Sequence, residues 1–337
     1  HYSAAFVTTN NQITGAPIQY VRNAFPRGYG KARGIVINAG NSNVCTGKAG
    51  LRDAQTMATL TAKQLNTKPE NILVASTGII GVPLPMAKVK RGIDAAAKQL
   101  SPRSHDGDAL EAIMTTDTRP KSAVVMTTFG GKTVTVAGIA KGSGMIAPSL
   151  ATMIGVINTD AAIPPSLLRR ALKDVVHDTF NAVTVDSDQS TSDIVAVFAS
   201  GAAGNKPLRA GTSAFAKFVK VLREVCAELA RAVVADGEGA TRVMEIVITG
   251  AKNNRDAEIA AKSVANSPLL KTAIHGADPN WGRIAMALGK SKAKIVAETL
   301  TIRIAGQKVF ARGMGCTFDP KSISKRLKQD FVKIQCA

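Results

Sequence analysis

The sequence predicts an α+β fold of layered sheets and helices arranged in two lobes. Short β-branched runs alternate with segments of helical periodicity along most of the chain. The pair Gly130-Gly131 joins two of those runs as a hairpin, a connection foreign to a purely parallel sheet. At 337 residues the chain also exceeds the size at which one core usually stops growing, so two lobes are expected.

Taken in order, Gly34 to Asn38 reads as a strand followed by a turn rich in Gly and Asn. Leu51 to Leu65 has helical spacing, Asn71 to Thr77 is a second strand ending at Gly78, and Met86 to Leu100 is another helix. Ser122–Thr128 and Thr133–Ala140 form the arms of the hairpin. Met153 to Ile157 is an apolar strand, and Pro165 with Ser166 opens an amphipathic helix to about Thr179. Strands are expected at Ala182–Asp186 and Asp193–Ala199. A long helix from Ser213 to about Val234 carries the stripe Phe215, Phe218, Leu222, Cys226, Leu229 and stops at Asp236-Gly-Glu-Gly239. Thr241–Thr249 reads as a strand, Asp256–Val264 as a helix and Ile295–Ile304 as a strand.

Composition narrows the function classes. Apolar residues make up 45% of the chain in short, interrupted runs, so none reaches the length of a membrane span. Cys45, Cys226, Cys316 and Cys336 show no C-x-x-C spacing, which argues against a disulfide scaffold and for a reducing compartment. The net charge of +19 favours anionic substrates or surfaces. Its basic residues are dispersed, however, and aromatic residues are only 4%, leaving few platforms for stacking bases. The chain begins at His1 with no apolar signal core, so it is expected to be processed or to lack a leading segment.

Several motif matches fail on their chemistry. Gly142-Ser-Gly-Met-Ile-Ala147 has dinucleotide-loop spacing, but Pro148 opposes the helix that must follow. Gly47-Lys48 lacks the first Gly and the final Ser or Thr of a phosphate loop. Asp186 to Asp193 lacks the Gly and terminal Glu of a calcium loop, so its carboxylates are expected to hydrogen-bond local backbone, with a magnesium-type site as the lesser reading. The histidines are too far apart for a zinc enzyme, and no Gly-x-Ser-x-Gly elbow occurs.

What remains is the stretch from Lys141 to Asp160, small and glycine-rich ahead of the Ala151–Thr152 bond. Thr152 reads either as a β-branched residue opening a buried strand or as a nucleophile whose own amine is its base once that bond breaks. Ser76-Thr77-Gly78 is either a capped turn or a pair of oxyanion donors. Glu238 is either a helix-terminus acid or a group that steers protons.

Taken together, these segments resemble the ornithine acetyltransferase (glutamate N-acetyltransferase) family of arginine biosynthesis. The matching stretches are Ile35–Gly40, Ala75–Gly81, Met114–Lys121, Lys141–Asp160, Thr179–Asp186 with Ser190–Asp193, Asp236–Gly239 and Asn266–Arg283, in the family's order. The resemblance implies the fold of that self-processing family. It also implies a precursor that cuts itself between Ala151 and Thr152 into regions 1–151 and 152–337, which stay together, as a heterotetramer of two of each. Thr152 would take acetyl from N-acetylornithine as an ester and pass it to glutamate. Thr77 and Gly78 match the oxyanion hole, while Thr115, Lys141, Thr152 and Glu238 match substrate-binding positions. No metal, organic cofactor, nucleic acid or membrane is implied; acetyl-CoA stays open as a co-substrate. Cytoplasmic placement is expected, or the mitochondrial matrix or plastid in a eukaryote.

The sequence departs from the family at Ser149-Leu150, Ser187 and Gln189, and it lacks most of the leading segment. It also stops at Ala337, ahead of the closing segment whose Asn and Thr bind substrate in the family. Two other readings compete: an N-terminal-nucleophile aminopeptidase or amidohydrolase, in which water replaces the amine acceptor, and a non-catalytic basic protein that binds anions or nucleic acid.

Overall fold

Every residue of the apolar run Ile194–Ala199 is buried, and this run is an interior strand of the larger sheet. The computed structural model describes residues 1–101, 106–147 and 153–337. They fall into two compact units, His1–Glu238 and Gly239–Ala337.

The first unit contains, in order, β1 (Tyr2–Thr8), α1 (Ala16–Ala24), β2 (Tyr29–Ala32), β3 (Gly34–Asn41), α2 (Gly47–Gln64), β4 (Ile72–Ile79), α3 (Met86–Gln99) and α4 (Asp106–Ala112). It continues with β5 (Lys121–Phe129), β6 (Lys132–Lys141), β7 (Ile154–Thr159), α5 (Pro165–His177), β8 (Ile194–Ala199) and α6 (Ser213–Ala235). Its main sheet has the order β2-β1-β8-β7-β6-β5, parallel only between β7 and β8. Alternation along the strands sends side chains to two cores. Val195 and Val197 join one with α5 and α6, through Leu172, Phe218, Leu222 and Leu229. Ile194 and Ala196 join the other with α1, α2 and β4, through Ile18, Met57 and Leu73. β3 and β4 form a separate parallel pair.

Helix α6 illustrates how the sequence dictates an element. The Thr212 hydroxyl caps its first turn by accepting the Phe215 N–H, and the apolar stripe that includes Cys226 is buried along its length. Burial pushes the Cys226 thiol well above the usual range.

The second unit contains β9 (Val243–Ile248), α7 (Asn254–Ala265), α8 (Pro268–His275), α9 (Trp281–Gly289), β10 (Thr301–Ile304), β11 (Gln307–Ala311), β12 (Met314–Gly315), α10 (Pro320–Leu327) and β13 (Phe331–Cys336). Its sheet runs β12-β11-β10-β13-β9, with β9 and β13 parallel. Its own core includes Val264, Ile274, Leu288, Ile302, Val332 and Ile334.

The α+β class and the two lobes agree with this architecture. The expected division before Thr152 concerns covalent processing and is separate from the boundary at Glu238. Two expected strands are corrected. Ala182–Asp186 is not a strand: residues 180–182 form a single 3-10 turn. Beyond it, Val185 N–H donates to the Ile146 carbonyl at 2.8 Å and the Asp186 carboxylate engages other backbone groups, so no sheet ladder is made. Ile295–Ile304 shortens to Thr301–Ile304, because Leu300 and Thr299 donate back to the Val296 carbonyl in a turn.

Candidate active site

β3 and β4 pair in parallel register, placing Gly40 opposite Gly78. Thr77 is the last buried residue of β4, and Gly78 follows it at the surface. Gly78 has φ +128°, and a Cβ there would stand 2.2 Å from the Gly40 carbonyl carbon and 2.5 Å from the Asn41 nitrogen. Only glycine lets the two backbones approach so closely.

Lys141 ends β6 with its side chain 4% exposed. Its Nζ donates to the Thr115 hydroxyl at 2.7 Å and to the Thr77 hydroxyl at 3.1 Å. Three residues singled out from sequence therefore meet, from β4, from the loop before β5 and from the end of β6. A threonine hydroxyl that accepts from a lysine keeps its own proton for another acceptor. Both hydroxyls are thus preset as donors toward a third group.

Burial pushes the Lys141 ammonium below its usual range. The Asp117 carboxylate opposes that fall, Lys121 adds to it, and Asp193 and Glu238 oppose it. Asp117 is the hub beneath the site. Its carboxylate accepts from Lys121 at 2.6 Å, from the Gly142 N–H at 2.7 Å and from the Thr115 N–H at 3.1 Å, and it stands 3.8 Å from Lys141. Burial alone would raise this carboxyl, but the Lys121 bond, the two N–H donors and the Lys141 charge outweigh it and hold the group below the usual carboxylate range. Lys121 also contacts Asp236 at 2.5 Å. Asp236 accepts from the Thr118 N–H and hydroxyl as well, and these bonds with Lys121 overcome burial to keep it low.

Glu238 arrives by the same route. The Ser143 hydroxyl donates to the Asp236 carbonyl at 2.6 Å, and the Glu238 N–H donates to the Ser143 carbonyl at 3.0 Å. The exposed Glu238 carboxylate lies over Gly144, 2.6 Å from where a Cβ would project. The acid therefore stands beside the segment that leads from Lys141 toward Ala151.

Ala151 and Thr152 lie outside the described residues. The flanks of that segment are held by two aspartates of one loop. Asp186 accepts the N–H groups of Met145 at 2.5 Å and Ile146 at 2.9 Å, and Asp193 accepts the Met153 N–H at 3.0 Å. The expectation that these carboxylates bond local backbone is corrected. Among the described residues only the Asp188 N–H to Asp186 bond is local, and the others reach Met145, Ile146 and Met153, about forty residues away. Among the described residues, no three His, Cys, Asp or Glu side chains gather as a metal site, and no helix is long and apolar enough to cross a membrane.

The ArgJ family model matches residues 1–337. The chain belongs to the ArgJ family. The arginine biosynthesis bifunctional protein ArgJ of Listeria monocytogenes is 42% identical over 333 residues, covering 99% of this chain and 83% of that relative. Its counterpart in Symbiobacterium thermophilum is 43% identical over 330 residues, covering 98% and 81%. The crystal structure of ArgJ from Bacillus halodurans aligns with a TM-score of 0.52 at 41% identity, over 52% of this chain and 84% of that one.

The sequence of this ArgJ-family chain predicts no role for Asp117, Lys121 or Asp236, although Asp236 opens the Asp236–Gly239 motif and the other two lie inside the Met114–Lys121 motif. Their meeting with Asp236 is tertiary and leaves no local trace.

Proposed function

We propose that this ArgJ-family chain is an acetyltransferase of arginine biosynthesis that moves acetyl from N-acetylornithine to glutamate. The observation that carries the proposal is the convergence of the Thr77 and Thr115 hydroxyls on Lys141. Cleavage of the Ala151–Thr152 bond frees the Thr152 amine. That amine takes the proton of the Thr152 hydroxyl as the oxygen attacks the acetyl carbonyl. The Thr77 hydroxyl, held by Lys141 with its proton free to point outward, and the Gly78 N–H stabilise the oxyanion. Collapse returns the proton to the leaving amine, releases ornithine and leaves acetyl-Thr152. The neutral amine of glutamate then attacks the ester carbonyl. The C–O bond to Thr152 breaks, the proton lost by that amine passes through the Thr152 amine to the Thr152 oxygen, and N-acetylglutamate leaves.

Glu238 suits the ammonium groups of ornithine, while Lys141 and the basic chain suit carboxylates. Thr115 is a further substrate contact. Each step uses groups of the protein and substrates alone, so the proposal includes no metal or organic cofactor. Acetyl-CoA is a candidate second donor, and the cytoplasm is the proposed setting.

Regions 1–151 and 152–337 would remain joined after cleavage for a structural reason. β7 and β8 lie between β1 and β6 in the main sheet, so strands of the second region are hydrogen-bonded on both sides by strands of the first. Two such cleaved chains would form the proposed heterotetramer.

Mixed with N-acetylornithine and glutamate, the protein should form ornithine and N-acetylglutamate in equal amounts, and Thr152→Ala should form neither. Release of free acetate with no dependence on glutamate would contradict the proposal and indicate a hydrolase.

A further inference from the structure

Asp193 is completely buried immediately before β8. Its Oδ1 accepts the N–H of Met153 at 3.0 Å, and its Oδ2, also buried, has no hydrogen-bond partner among the described residues. The Ser190 hydroxyl stands near the carboxyl but outside hydrogen-bond geometry for Oδ2. Leaving a buried polar atom unpaired is destabilising, so its retention calls for an explanation.

The platform that presents this carboxyl is tightly held. The Thr9 N–H donates to the Asp193 carbonyl at 3.1 Å, and the Ile194 N–H donates to the Met153 carbonyl at 3.2 Å. The Thr9 hydroxyl donates to the Ser190 carbonyl at 2.5 Å, and the Gly15 N–H to the Thr191 carbonyl at 2.9 Å. The N–H that Asp193 grips belongs to the Thr152–Met153 peptide. A side chain anchored by the segment that follows β1 thus holds the N–H of Met153, the residue next to Thr152 in sequence.

We propose that Asp193 is the positioning residue of the nucleophile, fixing the Thr152–Met153 peptide so that the Thr152 hydroxyl and amine meet the acetyl group in one orientation. The inference rests on Thr152 being the nucleophile. Burial favours the uncharged carboxyl, with the Met153 N–H, the Ser190 hydroxyl and the Lys141 charge opposing it only in part. Asparagine is therefore a close mimic: it keeps the oxygen that accepts from Met153 and carries no charge.

The test compares full-length D193N, D193A and D193S, with D193S retaining a polar group should D193A not fold. Folding is followed by circular dichroism, cleavage before Thr152 by denaturing mass, and kcat and KM for acetyl transfer by assay of the fully cleaved, folded protein. D193A and D193S should cleave at least about 10-fold more slowly, and their kcat should fall about 10- to 100-fold with KM changed by less than about 3-fold. D193N should stay within about 3-fold of the parent in both. A purely structural role would lower the melting temperature and leave kcat per folded molecule intact. Parental cleavage and kcat in folded D193A or D193S would overturn the proposal, as would a D193N defect equal to that of D193A. A parent chain that is never cleaved would instead overturn the reading of Thr152, and this inference with it.

Discussion

The ammonium of Lys141 donates to the hydroxyl of Thr115 at 2.7 Å from the buried end of β6. The same nitrogen reaches Thr77, so one cation orders two hydroxyls on different elements. Lys141→Met keeps most of the buried volume and removes both bonds. Acetyl transfer should fall by about 10²-fold in kcat/KM, the size of losing one oxyanion donor's orientation, while the protein stays folded. A steady-state assay alongside a thermal melt checks both parts.

Gly78→Ala puts a Cβ into the backbone of Gly40 at a φ that side chains rarely adopt. Strain of that kind alone costs about 1–3 kcal/mol, and the clash adds to it. Guanidinium unfolding should therefore show a loss above that range, together with loss of transfer activity.

Gly144→Ala is a milder probe of Glu238. The new methyl would displace only the end of an exposed, flexible side chain. Stability should change by less than about 1 kcal/mol, as for most surface changes, whereas transfer should fall toward the level of Glu238→Gln. Parental activity in G144A would separate Glu238 from the reaction.

Asp117→Asn leaves Lys121 and Lys141 buried without their shared counter-charge. Breaking a buried pair from one side costs about 3–5 kcal/mol at neutral pH, measurable by chemical unfolding. Because Asp117 and Asp236 are held below the ordinary carboxylate value, their stabilisation is full above about pH 4 and is lost as pH falls through the lower folded values. Melting temperatures across pH 2 to 7 should show an acid limb that shrinks in D117N. Asp193 has the opposite sign. Its raised value means that its contribution declines as pH rises above the ordinary value, and D193N should remove that decline.

Elements governed by local periodicity were legible in the sequence. The Gly130-Gly131 hairpin and helix α6 match the structure within a residue or two, because turn chemistry and an apolar stripe suffice to specify them. Ala182–Asp186 misled because its β-branched composition suits a strand, while its backbone partners are Ile146 and, through Asp186, Met145. The Lys121–Asp117–Asp236 cluster could not be read, since Asp117 and Lys121 share no helix and Asp236 lies more than a hundred residues away. Thr77, Thr115 and Lys141 were named from motif resemblance. Their contact required the register of β3 with β4 and of β5 with β6.

The central claim is that Thr152 is freed by cleavage and then carries acetyl. Denaturing mass measurement of the purified protein, before and after N-acetylornithine, tests it most directly. The account predicts two fragments that co-purify, one ending at Ala151 and one beginning at Thr152, the second heavier by one acetyl group after substrate. A single intact chain that never gains acetyl would contradict it.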